Sequence, residues 1–167
     1  AAMAGSVAAS NSDVATPWTG RRLVGFKGLA RQLEIVSMNQ VAVKGVTILE
    51  DRGGVLVVRH GLTTDMTDVL TKIPSIALIA DEVQRETRAV LDRYIGVKFL
   101  PAILTQVEGR LTKMFQGLVA RQIITNFTGI SAVVDPDDPT SVDVEGFYVP
   151  IFPLLHMRVR YSMRSKL

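Results

Sequence analysis

Few residues of this sequence could carry chemistry. The 167 residues include no cysteine and only two histidines, His60 and His156. The lack of cysteine excludes thiol catalysis, a disulfide scaffold and cysteine-ligated zinc or iron–sulfur centres. Two histidines are too few for a multi-histidine metal site. Most enzyme classes that depend on these side chains are therefore excluded.

One group of residues has the types that nucleophilic catalysis needs. His60 is followed by Thr63, Thr64 and Asp65, which offers a hydroxyl, an imidazole and a carboxylate within six positions. No strained nucleophile turn surrounds these threonines, so we interpret His60 as a residue at the end of a strand. His156 lies in an apolar segment among arginines, which favours a packed or interfacial histidine.

Two other patterns also lack essential parts of an active site. Residues 20–25 have the glycine spacing of a phosphate-binding loop, but Phe26 stands where the lysine must be. The acidic pairs Asp81/Glu82 and Asp137/Asp138 are expected on an exposed helix face and in a proline-rich turn, which lack the apolar pocket that acid–base catalysis requires. The sequence therefore predicts a protein that is not an enzyme and needs no cofactor or metal.

The net charge of +3 is small, but the charges are unevenly distributed. A basic segment contains no acid between Asp13 and Glu34, and an acidic segment further along contains no base. These segments are either solvated loops or complementary patches that steer identical subunits, or a charged inner partner, together. The candidate charged contacts are Arg21, Arg22, Lys27, Arg31, Asp135, Asp137, Asp138, Asp143 and Glu145.

Apolar periodicity predicts three helices that could position these residues. The first spans Leu29 to Lys44, where Leu29, Leu33, Val36 and Val43 recur at helical spacing and Gly45 suits a left-handed cap. The second spans Ile76 to Ile95, with predicted ion pairs Asp81–Arg85 and Arg88–Asp92.

The third helix follows Pro101 and continues to Ala120. Its apolar seam has strict three-four spacing. With the second helix, it should pack on strands through a core of Val83, Val90, Tyr94, Leu104, Val107, Leu111 and Leu118.

Strand signals surround these helices. The β-branched runs Val46–Glu50 and Val55–Arg59 flank Gly53-Gly54 and predict a hairpin, whereas 61–74 should be a polar loop. Ile123–Val134 and Ser141–Val149 predict two further strands. A last strand is expected at 154–163, where Met157, Val159 and Tyr161 alternate with polar residues. It could complete its own domain's sheet or add to the sheet of a neighbouring subunit.

Together these elements predict an α+β (mixed α/β) fold, with helices packed on a mixed or antiparallel sheet. Apolar residues make up 47% of the chain and its mean hydropathy is +0.26, which excludes disorder. No apolar run approaches the ~20 residues of a membrane span. Because the chain starts abruptly at Ala1 without an initiator methionine, we expect a fragment of a longer protein that begins within an element.

The order of these motifs resembles the C-terminal half of contractile phage tail sheath proteins. The similarity begins at Leu23-Val-Gly-Phe-Lys-Gly-Leu29, followed by a helix and a hairpin that opens with Gly45-Val-Thr and closes with Thr63-Thr64. It continues through the two long helices with Tyr94-Ile95-Gly96 between them. It ends with Val142-Asp-Val-Glu and Pro150-x-x-Pro153-Leu before the final strand.

This resemblance implies a structural subunit that polymerises helically around an inner tail tube and contracts to drive the tube through the host envelope. Residues 1–153 would be the inner sheath domain and 154–167 a C-terminal arm that pairs with a neighbouring subunit, with Pro150 and Pro153 as its joint. The arm residues would be Leu154, Leu155, His156, Met157, Arg158, Val159, Arg160, Tyr161, Ser162 and Met163.

The same resemblance implies a virion tail assembled in the host cytoplasm. The expected partners are copies of the chain, the tube protein and baseplate proteins, without membrane insertion or direct nucleic-acid contact. Two alternatives stay open: a sheath or baseplate component of a related contractile injection or bacteriocin machine, and a nucleic-acid-binding module built on Arg21, Arg22, Lys27 and Arg31. The last lacks aromatic stacking platforms.

Overall fold

The computed structural model describes residues 13–25, 28–155, 157, 159 and 160. Their elements, in chain order, are α1 (Ile35–Ala42), β1 (Ile48–Arg52), β2 (Val55–His60), α2 (Val69–Lys72), α3 (Pro74–Leu91), a 3₁₀ turn (Asp92–Tyr94), α4 (Ala102–Ala120), β3 (Ile124–Val134) and β4 (Val142–Pro150). The described strands form two antiparallel pairs, β1–β2 and β3–β4. The predicted α+β class is confirmed.

The β1–β2 hairpin forms where the glycine pair predicts it. Gly53 and Gly54 adopt φ angles of +64° and +85°, and the Gly54 N–H donates to Asp51 Oδ1 at 2.7 Å. Glycine suits this turn because L side chains rarely adopt positive φ. The segment 20–23 lies along the other edge of β2, where the N–H groups of Gly20 and Leu23 donate to Val58 and Leu56. The phosphate-loop glycine spacing therefore belongs to a strand-like segment at a sheet edge.

The first helix is shorter than predicted. Residues 29–34 are not helical, and α1 buries Met38 and Ala42 against Ile48. Leu33, Val36 and Val43, which set the predicted spacing, are exposed. Their period is helical, but a period does not say which side of a helix packs on the core. The left-handed end is confirmed, since Gly45 has φ +76°.

Helix α3 and the 3₁₀ turn occupy most of the predicted second helix, but start two residues earlier. Pro74 lies in the first turn, where its missing N–H costs no helical hydrogen bond. Ile76, Ile79 and Val83 are buried as expected, whereas Val90 and Tyr94 are half-buried. The segment 61–74 also differs from the expected loop, because it contains α2. Asp68 is the N-cap residue of this helix, and its Oδ1 accepts a hydrogen bond from the Leu70 N–H.

The ion pairing of α3 is not the one predicted. Arg85 pairs with Glu82, three residues away, and the same carboxylate lies 3.8 Å from Arg121 Nη1. Arg121 also pairs with Glu86. The reason is tertiary: Arg121 at the end of α4 places a cation beside Glu82 and Glu86, so the buried Glu82 has two partners that Asp81 does not have.

Helices α3 and α4 and the β3–β4 ribbon form the larger core. Val107, Leu111 and Leu118 of α4 are buried, as the seam predicts, whereas Leu104 and Met114 are half-buried. Phe115, which the predicted seam does not include, is also buried. Phe115 stacks on Phe127 of β3, with ring centroids 5.4 Å apart. The α4–β3 contact therefore fixes the ribbon on the helices.

Over its described residues, the predicted third strand of the C-terminal part is not paired within the chain. Among the described residues of 151–160, none belongs to a strand. Phe152, Leu154, Met157 and Val159 are at least half-exposed, from 50% to 79%. His156, Arg158 and Tyr161–Met163 lie outside the described residues.

Candidate assembly interface

The β3–β4 ribbon is long and has two outer edges. It has 11 residues in β3 and nine in β4, and within the described part of the chain neither strand has a second strand neighbour. Register irregularities between Ile124 and Asn126 and between Thr128 and Ser131 interrupt the β3 side. Unpaired strand edges offer rows of N–H and C=O groups to which another chain can add.

One of these edges is partly covered. Glu108 of α4 accepts a hydrogen bond from the Ala132 N–H at 2.9 Å through Oε1. Ala132 therefore points its N–H away from β4, which makes Ala132–Val144 a pair that exchanges no ladder bonds. Val144 must then direct its own N–H and C=O away from β3. The geometry points to β4 as the more open edge.

The solvent-facing side of β4 is apolar towards its C-terminal end. Asp143, Glu145, Phe147 and Val149 occupy alternate positions and are all exposed, Phe147 at 70%. On β3, Val133 is 60% exposed and lies opposite Asp143. The sequence alternation predicts which β4 residues share this face, but not that two large apolar residues would lack a covering layer.

A cleft of about 530 Å³ lies beside the C-terminal end of β4. Ile76, Ala77 and Ala80 of α3 form one wall and Tyr148 and Pro150 of β4 the other. Burial raises the pKa of Tyr148, so its hydroxyl stays neutral at physiological pH. The rest of the lining is Thr63, Thr64, Asp65, Leu70, Thr71 and Asp81.

The predicted joint lies where the chain leaves the ribbon. Pro150 is buried at the end of β4, and the N–H of Ile151 still donates to Ile123 at 3.4 Å. Pro153 is half-buried, and Leu155 lines a second cleft of about 260 Å³ that also involves Val43, Leu62 and Met66. Among the described residues that follow, Met157 is 78% exposed.

The basic candidates lie on or near the hairpin. Arg22 forms an isolated bridge with Val57, and Arg21 is half-buried beside it. Arg31 is exposed before α1, and Lys27 lies outside the described residues.

The acidic candidates follow the ribbon and its turn. Asp135 Oδ1 accepts the Asp137 N–H, and Asp138 Oδ1 accepts the N–H and hydroxyl of Thr140. The Thr140 hydroxyl bond is the main cause that lowers the pKa of Asp138, so this carboxylate stays ionised well into the acid range. The turn therefore presents fixed negative charge.

The residues first considered for catalysis serve the local fold. Thr63 donates its hydroxyl to backbone carbonyls of Asp65 and Thr71, and Asp65 accepts from Thr67. No group of three or more potential metal-binding side chains occurs in the described ranges. Nor does any helix among those residues have the length and apolarity needed to cross a membrane.

Comparison with known proteins identifies the fold. No profile of a known protein family matches the sequence. The chain is 28% identical, over 96% of its length, to the tail sheath protein of Mycobacterium phage Bxz1, of which it spans only 29%. It superposes on a chain of the anti-feeding prophage helical sheath in its contracted state with a TM-score of 0.84 at 11% identity, covering 96% of this chain and 49% of that one.

This is the fold of a contractile sheath domain. The predicted resemblance is therefore confirmed. Two further structures share this fold. A chain of the anti-feeding prophage baseplate superposes with a TM-score of 0.83 at 10% identity, covering 96% of this chain and 48% of that one. The sheath tail protein of Desulfitobacterium hafniense superposes with a TM-score of 0.68 at 10% identity, covering 86% of this chain and 39% of that one. The chain thus spans less than half of each of these four proteins.

Proposed function

We propose that this chain is the inner domain of a structural subunit of a contractile tail sheath. The subunit polymerises helically around an inner tube, and its contraction drives the tube through the host envelope. The observation that carries this proposal is the sheath fold over 96% of the chain, combined with an open β4 edge. The subunit would belong to a virion tail assembled in the host cytoplasm.

The link between subunits follows from the ribbon and the C-terminal arm. Residues 154–163 of one subunit add to the β4 edge of a neighbour and continue into the cleft beside α3. Main-chain hydrogen bonds supply the affinity, at ~1 kcal/mol net for each bond. The exposed apolar side chains of Phe147 and Val149 in the neighbour, and of Met157 and Val159 in the arm, support this contact because they offer apolar area that assembly can bury.

Pro150 and Pro153 provide the joint. Proline cannot donate to a strand ladder, so pairing within the domain stops at this point and the connection stays extended. Contraction must move rigid subunits far apart without detaching them. A short joint followed by a paired strand meets both requirements.

This mechanism needs no reaction chemistry. Repacking of interfaces between subunits supplies the energy of contraction, and the subunit acts as a structural protein. The inner tube protein and the baseplate are its other partners. We assign it no membrane insertion and no direct contact with nucleic acid.

A baseplate component is the second candidate, because the TM-score for the anti-feeding prophage baseplate chain is 0.83, almost equal to that for the sheath chain. Negative-stain microscopy of the full-length protein separates the two candidates. Striated hollow cylinders are the expected result, whereas closed rings would favour the baseplate. Uniform small particles at high protein concentration would contradict both.

We also expect assembly to depend on salt. If the basic segment with Arg21, Arg22 and Arg31 or the acidic segment from Asp135 to Glu145 meets opposite charge, raising the salt concentration until the Debye length falls below ~10 Å should slow assembly. Light scattering at increasing sodium chloride measures this rate. A rate that does not change with salt would mean that these charges only solvate the surface.

A further inference from the structure

A basic cleft lies on the solvent side of the two long helices. It has a volume of about 380 Å³ and separates the C-terminal half of α3 from the middle of α4. Arg93, Arg110 and Lys113 line it, over an apolar floor that includes Val90 and Met114. We refer to it as the cationic cleft.

The three cations of the cationic cleft are not neutralised by the rest of the domain. The ion pairs of the described residues involve Arg52, Arg59, Arg85 and Arg121, and none involves Arg93, Arg110 or Lys113. The one carboxylate in the lining, Glu86, is paired with Arg121. Such a cleft favours a partner that brings carboxylates, since like charges in a shared concavity attract opposite charge strongly.

The same chain carries a segment with complementary charge. From residue 122 to residue 157 there is no lysine or arginine, and all five acids of this stretch lie between Asp135 and Glu145. The turn 135–140 at the far end of the ribbon, which we call the acidic tip, is exposed from Pro136 to Thr140. Asp137 is exposed and has no hydrogen bond or ion pair through its carboxylate among the described residues.

The acidic tip is also held in one shape before any partner binds. Asp135 N–H donates to Ser141 at 3.1 Å and Ser141 N–H donates to Asp138 at 3.0 Å, which closes the turn. The side chains of Asp135 and Asp138 add three further hydrogen bonds, and Pro136 and Pro139 restrict the backbone. Docking such a turn loses little conformational entropy.

We propose that the acidic tip of one copy docks in the cationic cleft of a second copy. The two surfaces are different, so the contact is heterologous, and a repeated heterologous contact generates rows or helices rather than closed dimers. No ion pair joins the tip to the cleft within one chain over the described ranges. This contact rests on the proposed helical assembly and names one of its interfaces, separate from the C-terminal arm.

The test uses two charge-reversal variants of the full-length protein. The cleft variant is R110E/K113E, which leaves Arg93 and two glutamates in the lining besides the paired Glu86. The tip variant is D137K/D138K, which leaves Asp135 and two lysines in the turn 135–140. Both replaced acids are exposed, and the backbone hydrogen bonds that close the turn do not depend on their side chains. In each variant alone, tip and cleft carry the same sign, so we expect the critical concentration for assembly to rise by about tenfold or more. In an equimolar mixture every tip can meet a cleft of opposite charge, and assembly should return to within about threefold of the parent.

The mixture distinguishes a lost contact from a misfolded chain, because misfolded variants cannot rescue each other. A matched control, K44E/R88E, makes the same charge change on exposed residues outside the cationic cleft. It should assemble at the same critical concentration as the parent, because its tip and its cleft are unchanged. Loss of assembly in the cleft variant alone, with a normal tip variant, would assign the cleft to another acidic protein and overturn the proposal.

The parent protein separates this proposal from the proposed function. If the parent forms cylinders and the mixture shows no rescue, the tip–cleft contact is wrong and the sheath function stands. If the parent forms no cylinders, the sheath function is wrong, and sedimentation velocity of the same variants then tests the tip–cleft contact by measuring self-association. If the charge reversals do not weaken self-association, or if mixing the variants does not restore it, the tip–cleft contact is wrong.

Discussion

Leu111→Ala is expected to lower the free energy of unfolding by about 2–5 kcal/mol. Leu111 lies on α4, is 1% exposed, and is buried in one cluster with Val107 and Ala132 of β3. Removing its side chain leaves a cavity at the contact between helix and ribbon, where the surrounding residues can only partly close it. Chemical denaturation of the monomeric protein, followed by circular dichroism, measures the change.

Val36→Ala is the matched control for this prediction. Val36 is 66% exposed on α1, so the same kind of truncation should change the free energy of unfolding by less than about 0.5 kcal/mol. A loss below that value for Leu111→Ala would mean that the α4 seam does not hold the ribbon, and the fold described for this half of the domain would be wrong.

The seam of α4 shows why much of this core could be predicted from sequence. Leu111 and Leu118 recur at helical spacing. Pro101 marks the start of the helix and the turn before β3 marks its end, so the pattern between them predicts one long helix. The hairpin was predictable for a similar reason, since Gly53-Gly54 between β-branched runs has few alternative structures. Local patterns that exclude their alternatives are the ones that the structure confirms.

The first helix shows the limit of such patterns. Val36 and Val43 have the period of a helix, yet they are exposed, and Met38 and Ala42 form the buried side. A periodic apolar face indicates that something covers it, which can be the same chain or a partner. Periodicity alone does not distinguish these two cases.

The features that define the interface depend on contacts between distant residues. Glu108 accepts a hydrogen bond from the N–H of Ala132, which is 24 positions away. Arg121 forms an ion pair with Glu82 of α3, and not with the neighbouring Asp81. Neither contact has a signal in the local sequence, because each depends on how α4 lies against β3 and α3. The cationic cleft could not be predicted for the same reason, although the acidic tip was evident from composition.

The sequence predicts that the C-terminal arm adds to the sheet of a neighbouring subunit, a role that only an assembly of several subunits can test. Alternation along 154–163 predicts a strand, and a strand needs a partner with a free edge. The described arm residues are unpaired in the single chain, and the β4 edge has no second strand among the described residues.

Truncation of the full-length protein after Pro153 is expected to abolish cylinder formation and leave the melting temperature of the monomer nearly unchanged. The arm contributes little to the described core, because Leu154, Met157 and Val159 are 58% to 79% exposed. Its removal deletes every ladder bond that the proposed strand addition makes between neighbouring subunits, at ~1 kcal/mol net for each. Thermal unfolding and electron microscopy of the same sample measure both effects. A collapsed melting transition would show that the strand belongs to its own domain, and unchanged cylinders would show that the arm is not the link.

Proline substitutions at successive arm positions sharpen this prediction. Along a strand that adds to an edge, every second N–H points at the host strand, so only alternate positions need a donor. Single prolines at Met157, Arg158, Val159 and Arg160 should therefore impair assembly with a period of two, with normal melting in all four variants. On the host side, Val144→Pro removes an N–H that points away from β3 and should also impair assembly. Equal impairment at all four arm positions would point to a contact made by side chains instead of a ladder, and would contradict strand addition.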